Sequence, residues 1–281
     1  MADPSLDNLQ LPQTMVNGQQ RSEVSVLDRG LAYGDGLFET MRVVDGRIAL
    51  LDYHLARLRR GLLALKMDAD QTAIISELNA LAGQLGDGVL KMTLTRGIGK
   101  RGYGIPAQAQ PTRICQSFAP TGYPIENART GIRLFECQTR LAVQPLLAGI
   151  KHLNRLEQVL ARSEWSDSIH AEGMVRDTLG NVIECTMSNL FMLHGERWVT
   201  PDLSGCGVQG VMRDYLIDRL GQAGESVEVR KVDFSTLLES TEVFCCNSLY
   251  GVWPVIGLAD TSWSIGSRTR QAQRLAEQVI K

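Results

Sequence analysis

Lys151 follows an apolar lead-in, Ala148-Gly149-Ile150, that delivers an amine to the start of a helix-like segment, His152-Leu153-Asn154-Arg155-Leu156-Glu157-Gln158. Such an amine forms a Schiff base with an aldehyde only while it is neutral. A free lysine titrates at about 10.4, so burial has to lower it. The ordinary alternative is a surface lysine with its charge in water. Three later segments bear on the choice: Glu184 opens the stretch 184–191, Gly210-Val211-Met212-Arg213 opens another helix, and Asn247-Ser248 ends an apolar strand.

Each of these segments offers one contact to a flat, anionic, electron-withdrawing ring. A carboxylate at Glu184 keeps a ring nitrogen protonated, so that the ring withdraws electrons from a carbanion; otherwise Glu184 is a strand-end glutamate in water. The free backbone N–H groups of Val211 and Met212 face outward at a helix N-terminus, where the dipole favours a phosphate. Gly210 lets the backbone approach closely, although a glycine before a helix, taken alone, is a turn. Ser248 supplies a hydroxyl and a backbone N–H as a second phosphate contact, or else caps a turn. Together these are the parts of a site for pyridoxal 5'-phosphate.

From about Val16 to its end the chain resembles the fold-type IV (class IV aminotransferase) pyridoxal phosphate enzymes. Within that family, Leu147-Ala148-Gly149-Ile150-Lys151-His152-Leu153-Asn154-Arg155-Leu156-Glu157-Gln158-Val159-Leu160 is similar to the Schiff-base segment of bacterial aminodeoxychorismate lyases. Arg96-Gly97-Ile98-Gly99-Lys100-Arg101-Gly102-Tyr103 is similar to a second segment of the same enzymes. The resemblance implies Lys151 as the Schiff-base lysine and Glu184 on the pyridine nitrogen. It puts Arg57, in His54-Leu55-Ala56-Arg57-Leu58, on the phosphate with Val211, Met212 and Ser248. It also implies an α/β (α+β) fold of two α/β domains with the cofactor in the cleft between them, and a homodimer whose loops lie near the partner's site. Branched-chain aminotransferases of this fold carry a tyrosine shortly after the lysine, next to the cofactor's phenolic oxygen. Arg155 stands there in this chain and argues against an aminotransferase. Trp198 departs from the family's usual smaller aliphatic residue, which bears on local packing alone.

The lyase resemblance implies conversion of 4-amino-4-deoxychorismate to 4-aminobenzoate and pyruvate, in folate biosynthesis. The substrate's nitrogen displaces Lys151 from the cofactor, and the freed amine takes the proton from the carbon bearing that nitrogen. The electrons expel the enolpyruvyl group, which Lys151 then protonates. Thr40 joins Lys151 as a catalytic candidate. The substrate carries two carboxylates, for which Arg96, Arg101 and Tyr103 in the glycine-rich loop and Arg29 from the first sheet are candidates. Each arginine has an alternative as a solvated surface charge, and Thr40 as a residue chosen for β propensity. Of His152, Asn154 and Arg155, one or two are expected to line the cofactor pocket, Asn154 foremost; Asn189 is expected to fix the loop backbone after Glu184. The runner-up enzyme is a D-amino-acid or branched-chain aminotransferase, which would share every cofactor residue. From another class, a non-catalytic binding protein on this fold would need none of Lys151, Glu184 and the phosphate contacts.

Composition bounds the remaining possibilities. With 281 residues, 44% of them hydrophobic, the chain can bury a core and is long enough for two domains. A net charge of −2 gives no reason to expect a nucleic acid or acidic-membrane partner. The six cysteines form no C-x-x-C pair, and adjacent Cys245 and Cys246 are poorly placed to bond, so they read as reduced, buried and cytoplasmic. Four dispersed histidines argue against a metal site. No apolar run is long enough to cross a bilayer, and the N-terminus lacks a signal-peptide pattern. Residues 1–14 read as a disordered leader of recombinant origin, with Met15 the natural start.

The patterning then supplies the elements. Alternation predicts a strand over 23–27, turned by Asp28-Arg29-Gly30, and, after the break at Gly34-Asp35-Gly36, a second over 37–44 with a hairpin at Asp45-Gly46. Helical spacing of Leu55, Leu58, Leu62 and Leu65 predicts a helix over 52–65, with another over 71–84. Strands are expected over 88–96 and 112–118, flanking a glycine-rich loop at 97–109. A smaller N-terminal domain, 15–118, then gives way to a linker at 119–127, where Pro120, Gly122 and Pro124 break every period, and to a larger cofactor-binding domain, 128–281. In the latter, strands over 132–138, 171–177, 182–185 and 189–194 alternate with helices after Lys151 and after Gly210, and an amphipathic helix runs from Ser267.

Overall fold

In the computed structural model, which describes residues 13–281, a hairpin of β1 (Gln13–Val16) and β2 (Gln19–Gln20) opens the chain. It is followed by α1 (Arg29–Tyr33), β3 (Gly36–Val44), β4 (Arg47–Ile48), α2 (Leu51–Ala64), α3 (Gln71–Leu85), β5 (Gly88–Thr95) and β6 (Thr112–Phe118). The strands form a six-stranded antiparallel sheet in the order β2-β1-β6-β5-β3-β4. Asp45 and Gly46 both take positive φ, as the two-residue β3–β4 hairpin requires. Of the leucines predicted to line one face of α2, Leu58 and Leu62 pack with Met41, Ile74 and Leu90 into the first core, and Leu65 follows the helix as its C-cap.

The second half comprises α4 (Ile125–Arg129), β7 (Ile132–Leu141), α5 (Leu156–Arg162), β8 (His170–Asp177), β9 (Val182–Cys185), β10 (Asn189–His194) and β11 (Arg197–Pro201). It continues with α6 (Val211–Gln222), β12 (Val227–Arg230), α7 (Phe234–Leu238), β13 (Glu242–Asn247), β14 (Gly251–Leu258), β15 (Thr261–Ser262) and α8 (Ser267–Ile280). Its nine-stranded mixed sheet runs β12-β11-β10-β13-β14-β7-β8-β9, with β15 on β14. The central strand β10 shows why this region reads as an unbroken apolar run: both faces are covered. Leu190 and Met192 pack towards Leu237 of α7, whereas Phe191 and Leu193 pack towards Leu216 of α6 and Ala276 of α8. Next to it on β13, Cys245 and Cys246 enter opposite cores, so they cannot bond to each other, and all six cysteines are free. Trp198 is fully buried edge-on to Phe244. Among the described residues, no helix is long and apolar enough to cross a membrane.

Four local expectations fail. Residues 23–27 form no strand; Val26 and Leu27 are exposed, so the alternation had no core behind it. Residues 29–33 form the helix α1 rather than a turn, with Asp28 as N-cap accepting from the Gly30 N–H at 2.7 Å. Gln13 and Thr14, assigned to a leader, pair with Ser117 and Gln116 in β1; the rest of that leader, 1–12, lies outside the described residues. The stretch expected as a linker ends in the first residues of α4.

A buried ion pair holds α2 on β3. Arg57 Nε donates to Glu39 Oε1 at 2.9 Å, its Nη2 donates to Oε2, and His54 Nδ1 donates to Oε2 at 2.6 Å. Burial alone would raise the Glu39 carboxyl, but the Arg57 charge and the His54 hydrogen bond bring it down to about 2. Its contribution to stability is therefore complete above the ordinary value of 4.5 and is lost as the pH falls towards 2. Replacing Glu39 with Gln leaves a buried guanidinium unpaired and should cost about 3–5 kcal/mol in chemical denaturation. It should also remove that part of the acid dependence; unchanged curves would show that the pair contributes nothing.

Candidate active site

Lys151 lies in no helix. It occupies an irregular extended segment, and α5 begins five residues later at Leu156. The reason is cross-chain pairing that the local pattern does not encode. The Phe38 N–H donates to the Lys151 carbonyl at 2.9 Å and the Leu153 N–H to the Gly36 carbonyl at 3.0 Å, which fastens the segment to β3. On its other side the Gly149 N–H donates to Gly207 O at 2.9 Å, and the Gln209 N–H to Gly149 O at 3.1 Å. Gly149 takes φ +75°, a conformation that costs a glycine little, and this sets the direction in which Lys151 leaves.

The amine enters a cavity of about 570 Å³ lined from both sheets. Its Nζ lies 4.4 Å from the centre of the Phe38 ring. Burial, aided by the Arg57 charge, lowers Lys151 from 10.5 to about 8, towards the neutral form that attacks a carbonyl. Glu184, on β9, lines the same cavity and is raised by burial to about 7. Its Oε2 accepts from the Val208 N–H at 2.9 Å and from Asn189 Nδ2 at 3.4 Å, and Nδ2 also donates to Val208 O at 2.9 Å. Asn189 therefore ties Glu184 to the segment at Val208, rather than fixing the loop after Glu184 as expected.

A third group of donors sits at the start of α6. Gly210 is the N-cap and offers no side chain, so the first-turn N–H groups of Val211 and Met212 lack a cap. A Cβ at Gly210 would lie 2.0 Å from Asn189 Oδ1, so the backbone passes where only glycine fits. Arg57 lines the cavity and donates through Nη1 to the Gln209 carbonyl at 3.1 Å. Ser248 and Thr40 also line it, and Ser248 Oγ donates to Thr40 O at 3.0 Å. The Met212 side chain is buried in the α6 core, leaving only its backbone relevant to the site.

The structure therefore gathers Lys151, Glu184, Arg57, Val211, Ser248 and Thr40 around one space. The other candidates lie elsewhere. Arg29 and Arg96 are buried on the Asp35 carboxylate, each through Nε at 2.8 Å. Arg29 also donates to Gly102 O at 3.0 Å, and Arg96 to the carbonyls of Lys66 at 3.0 Å and Leu65 at 2.7 Å. Guanidiniums taken out of water need such acceptors, and here they anchor the base of the glycine-rich loop rather than line the cavity. Arg101 and Tyr103 sit exposed on that loop. Asn154 faces a neighbouring cavity and donates to Gly34 O at 3.2 Å, so it lines no part of the Lys151 space. Sequence reasoning missed Phe38, Gln158, Arg162 and Glu172, all of which line the cavity. The spacing 155, 158, 159, 162 was the available signal, one face of a helix after the lysine.

The arrangement suits a planar group bearing an anion at one corner, a protonated nitrogen at its far end and an electrophilic carbon beside Lys151. Comparison with known proteins agrees. Residues 36–258 match the family model for amino-transferase class IV. Aminodeoxychorismate lyase of Vibrio harveyi is 35% identical over 264 residues, covering 92% of this chain and 97% of that protein. The crystal structure of 4-amino-4-deoxychorismate lyase from Pseudomonas aeruginosa superposes with a TM-score of 0.94 at 48% identity, covering 95% of this chain and all of that one. Escherichia coli branched-chain amino acid aminotransferase shares the fold, with a TM-score of 0.81 at 20% identity and coverage of 94% and 93%. With a family match that takes in both sheets and the Lys151 segment between them, the chain belongs to the class IV aminotransferase family.

Proposed function

We propose that this chain is a pyridoxal 5'-phosphate-dependent lyase that converts 4-amino-4-deoxychorismate to 4-aminobenzoate and pyruvate. The observation that carries the reading is the near-full-length similarity to aminodeoxychorismate lyases at 35% and 48% identity, on a cavity built around a lysine amine lowered to about 8. The residues present fit the cofactor. Burial brings the Lys151 amine towards its neutral form, Glu184 is a desolvated acid awaiting a cation, and the uncapped start of α6 with Arg57 is a site for a phosphate.

Bound pyridoxal phosphate supplies an aldehyde that captures the substrate's nitrogen and a protonated ring that accepts an electron pair. Glu184 holds the proton on that ring nitrogen, as an ionised carboxylate once the cation lies against it. Arg57, the N–H groups of Val211 and Met212, and Ser248 would hold the phosphate. Lys151 Nζ takes the proton from the substrate carbon bearing nitrogen, the neighbouring carbon–oxygen bond breaks, and the ring becomes aromatic. Lys151 then returns the proton to the methylene carbon of the departing enolpyruvate, giving pyruvate. Thr40, on the cavity wall, contributes a hydroxyl beside this exchange.

We further infer a homodimer working in the cytoplasm. Leu31, Ile98, Tyr103 and Ile105 expose their side chains on and around the glycine-rich loop, a surface suited to a second subunit, and six free cysteines suit a reducing compartment.

Supplied with freshly generated aminodeoxychorismate, the protein should release 4-aminobenzoate and pyruvate in equal amounts; release of neither, with the cofactor converting on addition of amino acids, would make it a transaminase. Lys151→Ala should reduce turnover by about a thousandfold or more and abolish covalent cofactor retention. Glu184→Gln should retain the cofactor and lose on the order of a hundredfold in turnover. Because the Lys151 amine must be neutral to react, cofactor uptake by the apoprotein should accelerate with pH through about 8 and then level off. A midpoint near 10.5 in stopped-flow absorbance would show that the amine is not desolvated.

A further inference from the structure

Two guanidiniums in the cavity form no ion pair among the described residues. Arg155 donates through Nε to the His152 carbonyl at 2.9 Å, and its two Nη atoms have no acceptor among the described residues. Arg162 donates through Nη1 to the Trp165 carbonyl at 2.9 Å and lies over the Trp165 ring, with Nε and Nη2 free of any acceptor among the described residues. Apart from Lys151 and Glu184, the cavity's other charged groups are already engaged: Arg57 is paired with Glu39, while Glu172 accepts from Thr186, Ser188 and the N–H groups of Gly173 and Met187.

Gln158, Val159 and Arg162 share one face of α5 and Arg155 stands at its N-cap, and all four line the cavity. Between the two arginines the Gln158 amide has no partner among the described residues, and its Oε1 is buried. An amide kept from water without a partner is costly unless a ligand completes it, and turned end for end it offers N–H to an anion. Arg155 lies close enough to Lys151 and Glu184 for its charge to act on both, whereas Arg162 is exposed at the rim. Arg162 stands seven positions after Arg155, about 10 Å along the helix axis.

We propose that this face of α5 reads the two carboxylates of the substrate. Arg155, whose two free Nη atoms can serve the cofactor's phenolic oxygen and an anion together, takes the enolpyruvyl carboxylate, which hangs from the carbon next to the reacting one. Arg162 takes the ring carboxylate, which lies para to the nitrogen and so farthest from Lys151. Gln158 completes the wall between them. The assignment rests on the lyase reading, and it replaces Arg29 and Arg96, whose guanidiniums are held on Asp35.

The two products separate the two contacts, since 4-aminobenzoate keeps only the ring carboxylate and pyruvate only the other. Calorimetric titration of each into holoenzyme, wild type and variants, is the test. Arg162→Gln should weaken 4-aminobenzoate by about tenfold or more, leave pyruvate unchanged, and raise KM with kcat within a few-fold. Arg155→Gln should weaken pyruvate instead, and Arg155→Lys should recover part of that loss. Wild-type turnover to both products, with both glutamine variants binding both ligands as wild type does, would overturn the assignment while leaving the lyase reading intact; crossed effects would overturn it too. A wild type that forms neither product would remove the lyase reading and the assignment with it.

Discussion

Residues 207–210 are the common mount on which the site depends. The Gly207 carbonyl and Gln209 N–H hold Gly149, two residues before Lys151; the Val208 N–H holds Glu184; the Gln209 carbonyl holds Arg57; Gly210 starts α6. One short stretch of backbone therefore sets the relative positions of an amine, a carboxylate, a guanidinium and a helix N-terminus that come from four distant parts of the chain. The two Gly149 bonds join rigid peptide planes, and the Glu184 and Arg57 bonds each tie a side chain to one such plane, which makes a stiff mount.

On that mount the site's electrostatics depend on which charges are paired. Arg57 is paired with Glu39, yet its charge still reaches Lys151 and adds to burial in pushing the amine towards its neutral form. Glu184 gains only neutral donors, so desolvation dominates and its carboxyl rises, the opposite outcome to Glu39, whose partners are an arginine and a histidine. Two buried glutamates, Glu184 on the cavity and Glu39 bound to Arg57, thus stand at about 7 and about 2, through the charge of their hydrogen-bond donors.

Much of this was legible in the sequence, and the remainder was hidden for a common reason. Period-two and period-3.6 patterns located β3, α2, α3, β5 and β6, because each buries one face against a single core. Lys151 and Glu184 were legible from residue type and flanking segments. The pattern failed where contacts join residues far apart: the 23–27 alternation has no partner, the lysine's segment is extended because β3 and residue 207 bind it, and Arg29 with Arg96 is claimed by Asp35. No local rule shows that a basic residue in a glycine-rich loop will be buried on a carboxylate some sixty residues away. Asn154, only three positions from the lysine, was misplaced for the simpler reason that an extended segment turns successive side chains to opposite sides.

The placement of the cysteines has a chemical consequence of its own. All six thiols are free and buried, divided among four separate apolar clusters, and burial pushes Cys115, Cys137 and Cys206 up to about 12. A thiol held protonated and out of reach is a poor nucleophile towards oxidants and alkylating reagents alike. Labelling of the native enzyme must then wait for the cores to open, so its sulfhydryls act as a clock for unfolding, one that runs at the rate of the most easily opened core and needs no added probe.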